Sequence, residues 1–239
     1  MPYRRLPNTD AARIRAMKTA LQKGEELPPN KLAFSSKLFV ELRRLFILFE
    51  NNIKLYRYSV NVQNKKSKGY SETLCKTRIY LTHFVKVMNM AIIRGELPVE
   101  TRTFYGINVN DSTVPSLISE NEIVNRGKQI IEGEELRIRQ GVNPITNPTI
   151  AVVKVWYENF LQVLHNNNTQ AKRILDIMKT NISLRKEVDN LISEIWNEVE
   201  KTHAAYLEDA RKIMNEEYGI VYFYRKHELS KMQYSNLVS

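Results

Sequence analysis

Lysines and arginines interleaved with tyrosines are the clearest set of residues in this chain that could do recognition chemistry. Lysine and arginine neutralise the phosphates of a nucleic-acid backbone, and a tyrosine ring can stack on an unpaired base. The candidate phosphate-binding residues are Arg4, Arg5, Lys54, Arg57, Lys65, Lys66, Lys68, Lys76 and Arg78. No helix-turn-helix, RNA-recognition or zinc-finger signature accompanies them, so the pattern predicts contact with backbone phosphates rather than reading of bases.

The same residues also fit a structural interpretation. Tyr56 falls in an apolar helical seam and is expected in the core, and residues 65–68 have the composition of an exposed loop between helices. The chain has a net charge of +10, and residues 1–110 carry 20 Lys/Arg against 8 Asp/Glu, whereas residues 111–239 carry 16 against 18. This asymmetry is typical of a polyanion-binding surface, of a solubility device, or of a basic half that docks on the acidic half of another copy.

No catalytic constellation or cofactor motif is present in the sequence: it has no phosphate-binding glycine loop, no nucleophile elbow and no His-Glu-x-x-His. Only Glu200 and His203 have the spacing of metal ligands. A carboxylate-bridged di-iron bundle needs that pair twice, with a glutamate from each of two further helices. We therefore expect no catalytic residue, no metal and no cofactor, with Glu200 and His203 in solvated or rim positions.

The remaining reactive groups also favour structural roles. The single cysteine, Cys75, excludes a disulfide framework and is expected to fill the core of a helical region. Two pairs of carboxylates, Glu25–Glu26 and Glu134–Glu135, could in principle do acid–base work. Because both pairs fall at predicted helix ends, we expect capping, turn or surface positions for them.

Two asparagines occupy the same place in two apolar seams. Asn52 follows Leu38, Leu42, Leu45 and Phe49 at steps of three and four, and Asn167 has the same place in the seam that starts at Val153. An amide in such a stripe must be paired, and its known use is to fix register. The two interpretations left open are a structural polar seam, in which these amides meet each other or equivalent groups, and a rim position.

The elements that carry these residues are predicted to be long helices. Glycine and proline number only 8 each, and the apolar positions recur at helical spacing. Each half of the chain is expected to hold one short and two long antiparallel helices, with loops at 65–69 and at about 180–182. Short segments near 101–107 and 219–225 alternate aromatic and β-branched residues, which favours extended structure, with the two segments paired to one another.

The two halves are similar in sequence, which predicts an internal duplication. Residues 10–27 and 119–136 both end in Gly-Glu-Glu-Leu, and in both a polar residue (Thr9 or Asp10, and Ser119) is placed to cap a short helix that the glycine ends. We therefore predict an all-α protein of two sequence-related three-helix units that form one bundle or a pair. The predicted segments are a basic repeat at 1–97, a linker at 98–118, a second repeat at 119–226 and a tail at 227–239.

The opening Pro-Tyr-Arg-Arg-Leu-Pro-Asn-Thr-Asp-Ala-Ala-Arg, residues 2–13, resembles the start of a family of bacterial helical proteins of about this length. The resemblance covers only those dozen residues. It implies a bacterial, cytoplasmic, all-helical protein, and it implies no catalytic or ligand-binding residue. The absence of an apolar run after the first charged residues also favours a cytoplasmic protein without a membrane span.

These observations lead to two functional hypotheses. The first is a non-enzymatic helical scaffold or protein-interaction module that binds a protein partner or another copy of itself. It depends on the absence of a catalytic constellation and on a second apolar stripe at Phe39, Phe46, Ile53 and Val60. The alternative is a nucleic-acid-associated protein that binds phosphates through its basic N-terminal half.

Overall fold

The computed structural model describes residues 3–224 and confirms the all-α fold class. The predicted tail at 227–239 lies outside the described residues. The elements, in chain order, are β1 (Tyr3–Arg4), α1 (Asp10–Glu26), α2 (Ser36–Ile93), α3 (Thr101–Phe104), α4 (Glu120–Arg139), α5 (Ile150–Thr202), α6 (Glu208–Glu216) and β2 (Tyr222–Phe223). No helix in the described part of the chain is long and apolar enough to span a membrane.

The two predicted interhelical loops are wrong, because both long helices continue through them. Helix α2 has 58 residues and includes 65–69, and α5 has 53 residues and includes 180–182. The segment 180–182 contains neither glycine nor proline, so nothing in it ends a helix. In 65–69 the only helix-weakening residue is Gly69, and one exposed glycine costs about 1 kcal/mol, which packing on both sides exceeds.

Contacts divide the chain into two compact units whose boundaries differ from the predicted repeats. Unit 1 combines the described residues of Met1–Ser59 with those of Ile174–Ser239, and unit 2 is Val60–Arg173. Each unit therefore contains a short helix and one part each of α2 and α5. The segment 98–118, predicted to be a linker, belongs to unit 2 and buries Tyr105, Ile107 and Leu117.

Unit 1 packs α1 and residues 36–59 of α2 against the end of α5. Its core joins the α2 seam, which includes Leu42 and Phe49, to Val188 and Trp196 of α5. The two long segments run antiparallel, since Ser35 N–H donates to Glu198 at 2.6 Å while Asn52 bonds to Asn181.

Four alternating charges attach α1 to α5 in unit 1. Arg185 donates two hydrogen bonds of 2.7 Å to Asp10, and Arg13 donates to both oxygens of Asp189 at 2.7 and 2.8 Å. The hydrogen bonds from Arg185 hold the pKa of Asp10 below its ordinary value. Asp10 and Arg13 both belong to the 2–13 stretch, so part of that stretch serves to fix α1 on α5.

Unit 2 packs α4 and the start of α5 against the second part of α2. Leu81 and Phe84 of α2, Ile123 and Ile130 of α4, and Phe160 of α5 are buried in one cluster. Thr77 Oγ1 donates to the carbonyl of Trp156 at 2.9 Å, while Gln63 bonds to Asn167, so the two long segments are antiparallel in this unit as well. Helix α4 begins at a complete capping box formed by Ser119 and Glu122.

The glycines of the two Gly-Glu-Glu-Leu motifs do not end their helices. Gly24 lies inside α1 and Gly133 inside α4. A Cβ on Gly133 would lie 2.1 Å from the carbonyl oxygen of Phe104, and one on Gly24 would lie 2.1 Å from the ring of Phe39. Both positions are therefore glycine because a neighbouring segment approaches closely, not because the chain turns there.

The pairing predicted for the extended segments is also wrong. Residues 101–104 form α3, because the backbone N–H groups of this turn bond to carbonyls three residues back. Strand β2 pairs antiparallel with β1, with Tyr3 opposite Phe223 and Arg4 opposite Tyr222.

The helical state of 65–69 gives a direct stability test. Gly69 lies within α2, and a Cβ added to it would meet no neighbouring atom within 4 Å, so Gly69→Ala is expected to raise the free energy of unfolding by about 1 kcal/mol. Gly95 is the matched control, since it is equally open but has a φ of +76°. Gly95→Ala is expected to lower stability by about 1 kcal/mol. Urea unfolding measures both, and destabilisation by Gly69→Ala would contradict the continuous helix.

Candidate functional site

A groove of about 380 Å³ lies between α2 and α5 in unit 2. Its α2 wall carries Gln63, Lys65, Lys66, Gly69, Tyr70 and Thr73, and its α5 wall carries Val163, Asn166, Asn167 and Gln170. Pockets of ~300–1,000 Å³ are typical of ligand sites. Most of the lining residues carry a polar or charged group, although their apolar stems form much of the surface.

One amide–amide hydrogen bond joins the two walls of this groove. Gln63 Nε2 donates to Asn167 Oδ1 at 2.5 Å, and both side chains are half-buried. Because the oxygen of Asn167 is engaged in this bond, its amide nitrogen remains a donor available to a ligand. Asn167 therefore pairs across the two helices, which is one of the two interpretations that the sequence left open, and it also lines the groove, which the sequence did not indicate.

Tyr70 is fixed at the end of the groove by a residue of α4. Its hydroxyl donates to Glu120, and its ring lies 6.5 Å from that of Phe160. Burial, with the Glu120 hydrogen bond, raises the pKa of Tyr70. The contacts of its ring and hydroxyl fix Tyr70 within unit 2.

The charge lining the groove is entirely positive. No aspartate or glutamate lines it. Among the described residues, no carboxylate lies within salt-bridge distance of Lys65 or Lys66, whereas Lys154 of the same unit lies 2.9 Å from Glu135. On α5, Arg173 follows Gln170 by three residues and so lies on the same side of the helix. The groove combines ammonium, amide and hydroxyl donors and contains no carboxylate, and this chemistry suits an anion.

The structure gives several of the other predicted cations partners of their own. Arg4 Nη1 donates to Glu200 at 3.0 Å, and Lys54 lies 2.9 Å from Glu50. Arg78 donates to the carbonyls of Leu117 and Ile118 at 2.7 and 2.9 Å. The guanidinium of Arg5 lies over the ring of Phe223, and the ammonium of Lys76 lies over that of Trp156. Arg57, Lys65, Lys66 and Lys68 are exposed and have no carboxylate partner among the described residues.

The N-terminal half of the sequence is much more basic than the C-terminal half, but the two compact units do not differ in net charge in this way. Unit 2 has 15 Lys/Arg and 10 Asp/Glu, so its net charge of +5 is half of the +10 of the whole chain. The basic N-terminal half is divided between the units because α2 passes from one to the other. Local pairing of each cation, and not net charge, therefore identifies the candidate site.

Asn52, the other asparagine of the predicted seams, forms a hydrogen bond that has a structural role only. Asn52 is half-buried in unit 1, and its Nδ2 donates to Oδ1 of Asn181 at 2.7 Å. Asn181 is only 2% exposed. The pair satisfies amides that would otherwise be costly within an apolar interface.

Sequence reasoning missed a buried charged cluster in unit 2. Glu134 and Arg137 are 0% and 1% exposed and form a two-pronged ion pair at 2.7 and 2.9 Å, to which Tyr105 O–H and the N–H of Ile145 also donate. Burial acts to raise the pKa of Glu134, but the hydrogen bonds from Arg137 and Tyr105 outweigh it and lower the pKa.

A signal for this cluster does exist in the sequence. Steps of four and three connect Ile123, Gly127, Ile130, Glu134 and Arg137, so the charged pair continues the buried stripe of α4. The expectation of a surface or capping position is therefore wrong for Glu134, because the residue three positions later supplies its counter-ion.

The positions expected for His203 and for Cys75 are also wrong. His203 is 6% exposed rather than at the rim, and its Nδ1 lies 2.8 Å from Oδ1 of Asn215 on α6. Glu200 is half-buried, accepts hydrogen bonds from Arg4 and from the hydroxyl of Tyr222, and is connected to His203 through Tyr222 and Asn215. Cys75 is exposed and so does not fill the core. No group of three or more potential metal ligands occurs within the described residues.

No protein-family model, curated protein or solved structure matches this chain. The resemblance of residues 2–13 to bacterial helical proteins therefore stays a prediction.

The buried pair in α4 predicts a pH-dependent loss of stability. Glu134→Gln leaves the Arg137 charge without its counter-ion, and we expect a loss of about 3–5 kcal/mol at pH 7. The folded-state pKa of Glu134 lies below its ordinary value of 4.5, so the pair stabilises the fold above that pH and the benefit is lost as the pH falls through the lowered value. The stability difference between wild type and variant is therefore expected to shrink on acidification. Chemical unfolding between pH 3 and 7 measures it, and a difference independent of pH would contradict the role of this carboxylate.

Proposed function

We propose that this chain is a non-enzymatic helical binding protein whose groove in unit 2 binds the phosphate backbone of nucleic acid. The single observation that carries the proposal is the position of Lys65 and Lys66 in a concave, carboxylate-free groove. The groove residues include no carboxylate, imidazole or thiol to serve as a general base or nucleophile. Their donors match the oxygens of a phosphodiester, which only accept hydrogen bonds.

The geometry favours backbone contacts over base reading. Lysine ammonium groups and the free amide nitrogen of Asn167 would donate to phosphate oxygens, and Lys68 extends the run of cations along α2. Tyr70, the one aromatic residue in the groove, is engaged by Glu120 and Phe160. Binding is therefore expected to depend strongly on salt and little on sequence.

The proposal is tested by salt-dependent binding of a fluorescent single-stranded RNA and a duplex DNA, followed by anisotropy. The variant Lys65→Gln/Lys66→Gln/Lys68→Gln removes three cations. With each single-strand phosphate contact contributing about 0.7 to the slope of log Kobs against log salt, we expect the slope to fall by about 2 in magnitude.

A matched control separates local contacts from net charge. Lys31→Gln/Lys128→Gln/Lys179→Gln removes the same charge from exposed positions outside the groove and is expected to leave most of the affinity intact. Asn167→Asp is a further variant, since a carboxylate still accepts the hydrogen bond from Gln63 but repels phosphate. Equal loss in both triple variants, or no binding by the wild type at low salt, would overturn the proposal.

We propose self-association of the chain as a second candidate function, on the basis of a different surface. In unit 1, α2 exposes Val40, Ile47, Leu48, Leu55 and Tyr58, each 38–69% exposed. The stripe on which the sequence hypothesis depended is mostly covered, since Ile53 is buried and Phe39 and Phe46 pack against the core of unit 1. The surface that favours association therefore lies on the opposite side of α2 from the stripe used in the sequence hypothesis.

Sedimentation velocity over a range of concentrations tests this second candidate. If copies associate through the exposed α2 surface, the wild type is expected to form dimers at high concentration and Ile47→Glu to remain a monomer. Ile79→Glu is the control, because Ile79 is equally exposed, at 56%, but belongs to unit 2. A wild type that is monomeric at all concentrations would rule the candidate out.

We also infer that the two units descend from one duplicated sequence. Each contains a short helix, the first part of the long helix that follows it, and the last part of the other long helix. Each also contains a Tyr-Gly-Ile segment, at 105–107 and 218–220, with buried tyrosine and isoleucine and a glycine of φ +64° or +84°. This shared segment supports the duplication independently of the Gly-Glu-Glu-Leu motifs.

A further inference from the structure

A second cavity, of about 360 Å³, lies in unit 1 beside the two-stranded sheet. Its walls are mainly apolar and include Leu6 before α1, Ala12 on α1, and Val221 just before β2. Trp196 of α5, only 1% exposed, also lines it. The cavity shares no residue with the groove of unit 2.

The cavity is held open by contacts on either side of it. Arg5 N–H donates to the carbonyl of Val221 at 2.9 Å, which continues the β1–β2 pairing. Gly219, at φ +84°, turns the chain close to the backbone of Ala16 on α1. The cavity walls are thus fixed by backbone contacts and do not need a ligand to form.

Two guanidinium groups line this apolar cavity without carboxylate partners. Arg5 and Arg15 are exposed, and no acidic residue lines the cavity. Neighbouring arginines differ in this respect, because Arg4 pairs with Glu200 and Arg13 with Asp189. Arg15 lies three residues from Ala12, so it emerges on the side of α1 that faces the cavity. Unit 1 therefore pairs Arg4 and Arg13 with carboxylates and leaves Arg15, and Arg5 whose guanidinium lies over the ring of Phe223, without one.

We propose that this cavity binds a small monocarboxylate with an apolar body. The apolar body would contact Leu6, Ala12, Val221 and Trp196, and the carboxylate would accept hydrogen bonds from Arg5 and Arg15. Guanidinium groups match a carboxylate in shape and charge and are less strongly hydrated than ammonium groups. A multiply charged phosphate fits poorly, because most of the wall offers no hydrogen bond.

Tryptophan fluorescence tests this site directly. The chain has two tryptophans, so Trp156→Phe leaves Trp196 as the only one. Titration of this protein with decanoate is expected to change the emission saturably, and decan-1-ol, which has the same chain length but no charge, is expected to bind about tenfold more weakly. Titration with 4-phenylbutyrate in parallel distinguishes an aromatic from an aliphatic body.

Further variants of the Trp156→Phe protein distinguish the contribution of the arginine charges from that of the shape of the cavity. Arg15→Gln and Arg5→Gln are each expected to weaken decanoate binding about tenfold and to leave decan-1-ol binding unchanged. Lys18→Gln is the control on α1, because Lys18 is exposed and does not line the cavity. Ala12→Leu places a larger side chain in the cavity and is expected to abolish binding of both ligands, with circular dichroism to verify the fold.

Three outcomes would overturn the proposal: no saturable response to decanoate or 4-phenylbutyrate, equal affinity for decanoate and decan-1-ol, or the same loss in Lys18→Gln as in Arg15→Gln. None of these outcomes bears on RNA binding by Lys65 and Lys66, which belong to the other unit. The two proposals therefore stand or fall separately.

Discussion

The continuity of α2 and α5 is the constraint on which the rest of this structure depends. Each helix begins in one compact unit and ends in the other, so neither half of the sequence contains a complete core. In unit 1, Leu42 and Phe49 are buried in one cluster with Val188 and Trp196, which come more than a hundred residues later. Each long helix thus contributes to both cores, and the stretches 65–69 and 180–182 within the two helices together contain one glycine and no proline.

Much of the helical packing could be predicted from spacing alone, whereas the connectivity could not. The seam from Leu38 to Phe49 is buried, and so are Val153, Tyr157 and Phe160 of the second seam. Periodicity identifies a buried face but does not show where a helix ends, and a polar stretch such as 65–69 is compatible with a loop or with an exposed helical turn. Only the packing of the flanking segments distinguishes the two, and it depends on residues distant in sequence.

The sequence indicated which residue types would form the candidate site, but it did not show which of the candidate residues belong to it. Nine cations look equivalent in the sequence, yet Arg4 is paired with a residue 196 positions away and Arg78 with carbonyls 39 and 40 positions away. Such partners cannot be assigned from one sequence. The pair of Glu134 and Arg137 is different, because both residues lie on the buried stripe of one helix and their spacing alone brings them together.

Pairing also separates the polar residues that hold this protein together from those available to a ligand. Glu134, Arg137, Asp10 and Arg185 have partners and are at least partly buried, so replacing one of them leaves a partner unsatisfied and lowers stability. Lys65, Lys66, Arg5 and Arg15 are exposed, and no carboxylate pairs with them in the part of the chain that the structure describes. Their replacement removes no folded-state ion pair and leaves no buried charge alone. A loss of binding without a loss of stability is therefore the combination that distinguishes a ligand site from structural support at these positions.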